Sequence, residues 1–437
     1  MLIALPVAPI QSHQLLVFLL QVGLLLMLAL ILGRLAARCG LPAVVGELCV
    51  GIVLGPSLLD HVAPDIAGWL LPKDTGQFHL LDAAGQLGVL LLVGITGVEL
   101  DLGMVRRRGR TTLAISLSGL LLPLGLGIGA GYLVPEQFLG GDGERPVFAL
   151  FLGVAMCVSA IPVITKTLSD MNLLHRNVGQ LTLAAGMIDD IVGWLMLSIV
   201  SAMATTGVHP QTVGRSIMWI AVVIGFAATV GRVVTRIGLR RANRAAAAGA
   251  PAAFIAVIVL LASAATQSMG LEAVFGAFVA GIMLRQSGAV RMELLAPIRT
   301  FVLAVLAPLF FATAGLRADL TALRRPEVLL LAVTVLFIAV VGKFVGAFLG
   351  ARLGRLDRWE ALAIGAGMNS RGVIELVVAS VGLRLGVLTT ESYTVVVLVA
   401  VATSVMAPPI LRFATRRIEQ TTEEVVRARL SAAGVSG

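Results

Sequence analysis

Val44 to Leu54 reads VVGELCVGIVL, and Val274 to Leu284 reads VFGAFVAGIML. Five of the eleven positions match, with Gly46 facing Gly276 and Gly51 facing Gly281 in the alignment. A second pair lies behind the first: Gly97 to Leu102 reads GVELDL, and Gly315 to Leu320 reads GLRADL. Small and apolar residues recur by chance in membrane helices. Two pairs at one common offset in the order of apolar segments mark an internal repeat, and a repeat decides the architecture.

The repeat sits in a chain of 437 residues that is 58% hydrophobic and only 13% charged, with a mean hydropathy of +0.98. A soluble domain needs roughly 25% charged residues to cover its surface, so the composition defines an all-α polytopic membrane protein. A helix needs about 20 apolar residues to cross a hydrocarbon core of about 30 Å. Thirteen such runs can be marked, near 14–35, 42–59, 81–100, 111–134, 146–168, 177–203, 213–234, 251–268, 270–285, 297–316, 327–350, 360–383 and 391–413, the ninth being short. The repeated segments occupy runs 2 and 9 and runs 3 and 10, seven apart each time. An odd offset places the partners in opposite orientations across the bilayer, so the repeat is inverted. Its halves cover about 42–203 and about 270–413, RANRAAAAGAP from Arg241 to Pro251 links them, and 414–437 is expected to be a short cytoplasmic tail after a membrane domain spanning 1–413.

The net charge is +9. In a soluble protein that would raise nucleic-acid binding, yet four tryptophans and two tyrosines offer little stacking surface. Topology accounts for the charge instead. With thirteen spans and the N-terminus outside, 24 of the 33 Lys and Arg residues fall on the cytoplasmic side, seven outside, and two, Lys343 and Arg371, within spans. Cytoplasmic loops carry such an excess, which predicts a multi-pass protein of the plasma (inner) membrane with its C-terminus in the cytoplasm. Arg317, Arg324 and Arg325 are the one dissenting cluster. Cys39, Cys49 and Cys157 have spacing that suits neither a disulfide framework nor a metal site. No resident cofactor is expected.

Charges inside spans are costly and mark functional sites. LAAGMIDDIVGWLML, Leu183 to Leu197, carries Asp189 and Asp190, about 18 Å along a helix that starts near Asn177 and so close to the bilayer centre. Neighbours on a helix diverge by about 100°, so the two carboxylates need not share a role. One at that depth is kept neutral by a proton or stabilised by a bound cation, and the two ions then compete for one group. The fifth run contains SAIPVITK, Ser159 to Lys166, where Pro162 is expected to break or kink the helix. Its partner seven runs on contains GMNSRGVIEL, Gly367 to Leu376, where Gly367 and Gly372 weaken the helix around Asn369, Ser370 and Arg371. Interrupted helices at corresponding positions of inverted halves point to a binding site at the midplane. Ser159, Ala160, Ile161, Pro162, Thr165, Asn369 and Ser370 are the candidate lining, with freed carbonyls as cation ligands. Arg371, Glu375 and Lys343 are candidates for balancing charge, Arg371 and Glu375 having the i,i+4 spacing of an ion pair. Glu47, Glu99 and Asp101 lie near cytoplasmic helix ends, as vestibule or helix-end charges.

GELCVGIVLGPS (from Gly46), GITGVELDL (Gly94), SAIPVITKTLSDMNLL (Ser159), GMIDDIVGW (Gly186) and GMNSRGVIELVV (Gly367) together resemble the monovalent cation:proton antiporters of the second branch of that superfamily, over about Leu15 to Arg412. SRGVIEL is similar to the cation/proton exchangers of plants and their bacterial relatives. The resemblance implies a homodimer whose protomers each hold two crossing, discontinuous helices, here runs 5 and 12. It also implies that Asp190 takes the ion- and proton-carrying position, with Asp189 beside it. In electrogenic members the first aspartate pairs with a lysine of the tenth span. Pro297 to Leu316 has none, which leads to an expectation of electroneutral exchange, with Lys343 as the one alternative partner. Potassium-efflux relatives carry a nucleotide-binding regulatory domain after the membrane part, which is expected to be absent here.

The function expected is therefore secondary active exchange of a monovalent cation, Na⁺ or K⁺, for protons by alternating access. Three rivals stand beside it. A sodium-coupled organic-solute symporter of similar fold would show the same repeats and breaks. An intramembrane aspartyl protease needs two acids facing one bond, whereas adjacent helical residues point apart. A cation channel needs a filter loop, and none is visible in the sequence.

Overall fold

The computed structural model describes residues 10–71, 75–100, 102–141, 144–207, 210–244 and 249–426. Asp101 and the end of the expected tail, 427–437, lie outside them. The long helices in chain order are α1 (Ser12–Arg38), α2 (Ala43–Leu54), α3 (Thr75–Glu99), α4 (Leu102–Leu133), α5 (Arg145–Cys157), α6 (Ile161–Asp170) and α7 (Asn177–Thr206). The chain continues through α8 (Pro210–Phe226), a π-helical turn Ala227–Gly231, α9 (Arg232–Arg244), α10 (Ala250–Ser268) and α11 (Ala273–Gln286). Then follow α12 (Met292–Phe301), α13 (Ala307–Leu316), α14 (Pro326–Leu353), α15 (Arg358–Met368), α16 (Val373–Arg384) and α17 (Thr390–Thr415). No strand occurs among the described residues.

Among the described residues, twelve helical segments are long and apolar enough to cross a membrane. The ninth run of the sequence is the exception, a helix of 14 residues. At 1.5 Å per residue it reaches about 21 Å, short of a full crossing. Its repeat partner α2 is shorter still, 12 residues, because the chain turns at Gly55 and Pro56 into the short helices Leu59–Val62 and Pro64–Leu70.

The helices sort into two bodies. One gathers α1, α2, α3, α10, α11 and α12–α13; the other gathers α4, α5–α6, α7, α14, α15–α16 and α17. The second body thus takes three spans from each half of the repeat, and the first takes two from each together with α1 and α10, which are also seven runs apart. The inversion is visible in the contacts of the first body. Gly51 of α2 meets Gly315 of α13 so closely that a Cβ on either would come within 3.0 Å of the carbonyl three residues before the other, at Ala312 and Leu48. Gly281 of α11 and Gly97 of α3 repeat this contact, against Gly94 and Phe278, again three residues before the partner glycine. Only glycine permits such backbone approach. The pairing Gly51 with Gly281 and Gly97 with Gly315, read from the sequence, maps one contact onto the other.

Two interrupted helices cross in the second body. α5 ends at Cys157 and the chain runs extended through Val158 and Ala160 before α6 begins at Ile161. Pro162 was expected to create the break, but it sits in the first turn of the restarted helix, where a missing N–H leaves nothing unpaired. The other break runs from Asn369 to Gly372, between α15 and α16. The breaks are tied to each other: the Ala160 amide donates to the Ser370 carbonyl at 3.1 Å, and the Ser159 hydroxyl lies 2.7 Å from the Met368 carbonyl. A side chain at Gly372 would run into Val163, so the crossing closes only around glycine.

Candidate cation and proton site

α7 carries the acidic pair through the middle of the second body, against α4, α5, α6 and α15. Asp189 and Asp190 are 0% and 1% exposed. Their surroundings differ completely. One oxygen of Asp189 accepts from Lys343 Nζ at 2.5 Å and from Ser159 Oγ at 3.1 Å. The other accepts from Ser116 Oγ of α4 at 2.7 Å. Lys343, on α14 and fully buried, also donates to the Cys157 carbonyl at 2.5 Å. This is a buried ion pair with its remaining valences filled, the condition under which such a pair is tolerated in a low-dielectric interior.

Neither oxygen of Asp190 has a hydrogen-bond partner. It lies within electrostatic reach of the Ile161 amide, at the helix end whose dipole favours negative charge. Leu183 and Met187 share its face of α7 and line a cavity of about 580 Å³ between the two bodies. Glu47 and Thr96 line the cavity from the first body, and Ile161, Pro162 and Thr165 from the second. Asp190 sits one turn beyond its inner end. At the rim, Glu99 pairs with Arg299 at 2.5 Å.

Arg371 fills the crossing from the other side. Its guanidinium donates to the carbonyls of Ala155 at 2.7 Å, Met156 at 2.5 Å and Ala339 at 3.0 Å. It also reaches Glu375 at 3.3 Å, whose second oxygen has no partner. The carbonyls freed at the end of α5, expected as cation ligands, are therefore held by Arg371 and Lys343. Asn369 is buried with an unpartnered side-chain oxygen, and Ser370 contributes its carbonyl to the crossing.

The candidate residues thus occupy three places. Asp189, Ser159 and Lys343 form one cluster; Arg371 and Glu375 form a second around the crossing; Ile161, Pro162 and Thr165 face the cavity beside Asp190. The tenth run lacks a lysine, as the sequence shows, but Lys343 of the eleventh supplies the partner of Asp189, so the ground for expecting electroneutral exchange falls. Sequence reasoning missed Ser116, which nothing distinguishes from Ser118 two residues along in the same apolar helix. The dissenting basic cluster finds an explanation in its partners. Arg317 pairs with Asp82 at 2.6 Å and Arg325 with Glu391 at 2.6 Å, so two of its three charges are balanced by carboxylates.

Across the midplane from the cavity the path is closed. The ring of Trp194, one turn past Asp190, packs against Phe278 of α11 with centroids 6.2 Å apart. Beyond it, Glu272 at the start of α11 accepts from Ser201 of α7 at 2.5 Å and from Arg384 of α16 at 2.8 and 3.1 Å.

Crossed, interrupted helices in inverted halves around a buried acidic pair define a secondary-transporter fold. The chain belongs to the family described as sodium/hydrogen exchanger, transmembrane, whose profile matches residues 24–417. It is 31% identical over 406 residues to the Na(+)/H(+) antiporter NhaS4 of Synechocystis sp., covering 92% of this chain and 97% of that protein. It is 30% identical over 410 residues to cation/H(+) antiporter 17 of Arabidopsis thaliana, covering 92% of this chain and 48% of that one. The chain spans about half the length of this plant relative. The Na(+)/H(+)-K(+) antiporter GerN of Bacillus cereus is 28% identical, with 91% and 96% covered. Among solved structures, the sodium proton antiporter MjNhaP1 of Methanocaldococcus jannaschii at pH 8 superposes with a TM-score of 0.63 at 15% identity, over 96% of this chain and 98% of that one. That likeness is one of fold.

Proposed function

We propose that this chain exchanges a monovalent cation, Na⁺ or K⁺, for protons across a membrane by alternating access, with Asp190 as the group for which the two ions compete. The observation that carries the reading is the contrast on α7: Asp189 is fully bound, while Asp190 is buried, unpaired and one turn from a cavity that opens to one side. An unpaired carboxylate in such surroundings is stable only with a proton or a cation on it. A cation arriving through the cavity displaces the proton, the two bodies shift so that the crossing faces the other side, and the reverse exchange follows there. The family resemblance of the motifs and the exchange activities named for the relatives point the same way.

Lys343 adds a second group able to release a proton when a cation draws on Asp189. The geometry therefore favours two protons per cation, which moves net charge. Arg371 has no such role, because a guanidinium stays charged. The orientation that fits the basic residues puts the cavity on the cytoplasmic side and the N-terminus outside, in a plasma (inner) membrane. A homodimer is the assembly that the resemblance implies. The test is dequenching of a pH dye in proteoliposomes on adding NaCl or KCl without organic solute. Proton flux with either salt is expected, and none with both overturns the reading, leaving the organic-solute symporter. A steady-state current on a supported membrane checks the stoichiometry.

A further inference from the structure

The side of the molecule opposite the cavity holds a second cluster that crosses between the two bodies. Glu272, at the start of α11, belongs to the first body. Ser201 on α7 and Arg384 at the end of α16 belong to the second. The carboxylate is nearly fully buried while Arg384 remains partly exposed, with side-chain exposures of 5% and 42%. The three form a closed set: both Glu272 oxygens accept from Arg384, and one also accepts from Ser201. The cluster caps one particular path. At about 100° per residue, Leu183, Asp190, Trp194 and Ser201 share a face of α7. The face begins at the cavity, passes the candidate ion site and ends at Glu272. Along its upper half, the Trp194 indole N–H and the Ser198 hydroxyl are buried without any hydrogen-bond partner. Buried donors left unpaired are rare and call for an explanation. Water in an opened path would satisfy both.

We propose that Glu272, Arg384 and Ser201 form the outer gate of the transport path, and that Trp194 and Ser198 line the path once the gate opens. The ion cluster holds the bodies together on one side while the cavity separates them on the other. When the second body moves, carrying α7 and α16 past α11, Ser201 and Arg384 must leave Glu272, and its carboxylate is then hydrated from outside. The gate is thus a release step in each transport cycle. Conformational steps of this kind commonly limit turnover. The inference rests on the antiport reading, and its test separates the two.

In a chain with Cys39, Cys49 and Cys157 replaced by alanine, Glu272→Cys and Arg384→Cys are joined by a short bifunctional methanethiosulfonate that a reductant removes. The same proteoliposomes are assayed before linking, after linking and after reduction. Exchange before linking tests the antiport reading, and its absence there with the parent chain counts against that reading alone. Linking is expected to lower exchange by ~10-fold or more, with recovery on reduction. An undiminished rate after complete linking overturns the gate. A second variant covers a pair that fails to fold or to link. Glu272→Gln keeps the side chain's volume and loses its charge, and in it Ser198→Cys should react several-fold faster with an impermeant maleimide added outside than in the Glu272 chain. Equal rates overturn the gate as well.

Discussion

Two faces of α7, one residue apart, treat a carboxylate in opposite ways. On one, Asp189 meets a lysine and two hydroxyls supplied by α14, α4 and the α5–α6 break. On the other, Asp190 meets none and lies one turn beyond Met187, which lines the cavity. Two helices and a helix break neutralise the first acid, and the second is left to be neutralised by whatever ion arrives. Burial alone therefore does not identify a transport site; what marks it is burial without a partner next to a route for solvent.

The sharpest way to break the comparison is to remove the free acid. Asp190→Asn keeps the volume but can hold neither a proton reversibly nor a cation's charge, so exchange should fall by ~100-fold or more while the protein stays folded. Thermal unfolding should be little changed, since no native contact is lost. Normal exchange by this variant in the dye assay would move the site elsewhere.

A smaller effect on transport but a larger one on folding is expected from the bound acid. Lys343→Met leaves Asp189 buried and charged without its cation, and breaking a buried pair costs about 3–5 kcal/mol. Asp189→Asn in the same chain should restore most of that, because the pair is then removed together. Denaturation in detergent reads both, and additive losses would show that the two residues do not interact as described. Ser116→Ala tests the same cluster more gently. It removes one hydrogen bond to a charged group, worth about 1.5–3 kcal/mol, and the remaining partners of Asp189 hold the loss to the lower end. A change in exchange rate as large as that of Asp190→Asn would erase the distinction between the two faces.

The fold was legible because a membrane filters sequence severely. Apolar runs, lopsided arginines, repeated glycines and a lone acidic pair each stand out against a hydrocarbon background. The paired breaks were legible for the same reason, although Pro162 restarts a helix rather than breaking one. Contacts between spans were not legible. Depth along a helix can be counted, but its rotation and neighbours cannot, so the sequence names Lys343 as a candidate for balancing charge without saying which acid it meets. Nothing in SAIPVITK says that the carbonyls before it are already taken by Arg371. Glu272 and Arg384 escaped notice because each sits at a helix end, where charge is ordinary. The short α11 hides a different point: its length matters less than its glycines, of which Gly281 sets how near α3 can come.

The smallest expected effect concerns a third buried carboxylate, which shows what an acid does at the start of α7 when partners surround it. Glu424, beyond the last span, accepts from the Asn177 amide at the start of α7 at 2.6 Å and from the Thr421 amide at 2.9 Å. It also pairs with Arg176 at 3.1 Å, and Arg176 itself donates to the Ile418 and Glu419 carbonyls. Burial works to raise its pKa, but the two amides and the guanidinium outweigh burial and hold it below its ordinary value of 4.5. A carboxylate held down in the folded state contributes stability that is fully present above the unfolded value and is lost as pH falls through the lower, folded one. Docking of residues 418–426 should therefore be constant from neutral pH down to about 5 and weaken only in stronger acid. Hydrogen exchange of that segment measures it, and Glu424→Gln should weaken docking at every pH and remove the acid transition. Loss of protection between about pH 7 and 5 would show that the tail is held by something other than this carboxylate. The contrast with Asp190 is one of partners: buried beside two amides and a guanidinium, Glu424 keeps its charge and anchors a segment to the start of α7, whereas the unpaired acid in the middle of that helix needs an ion.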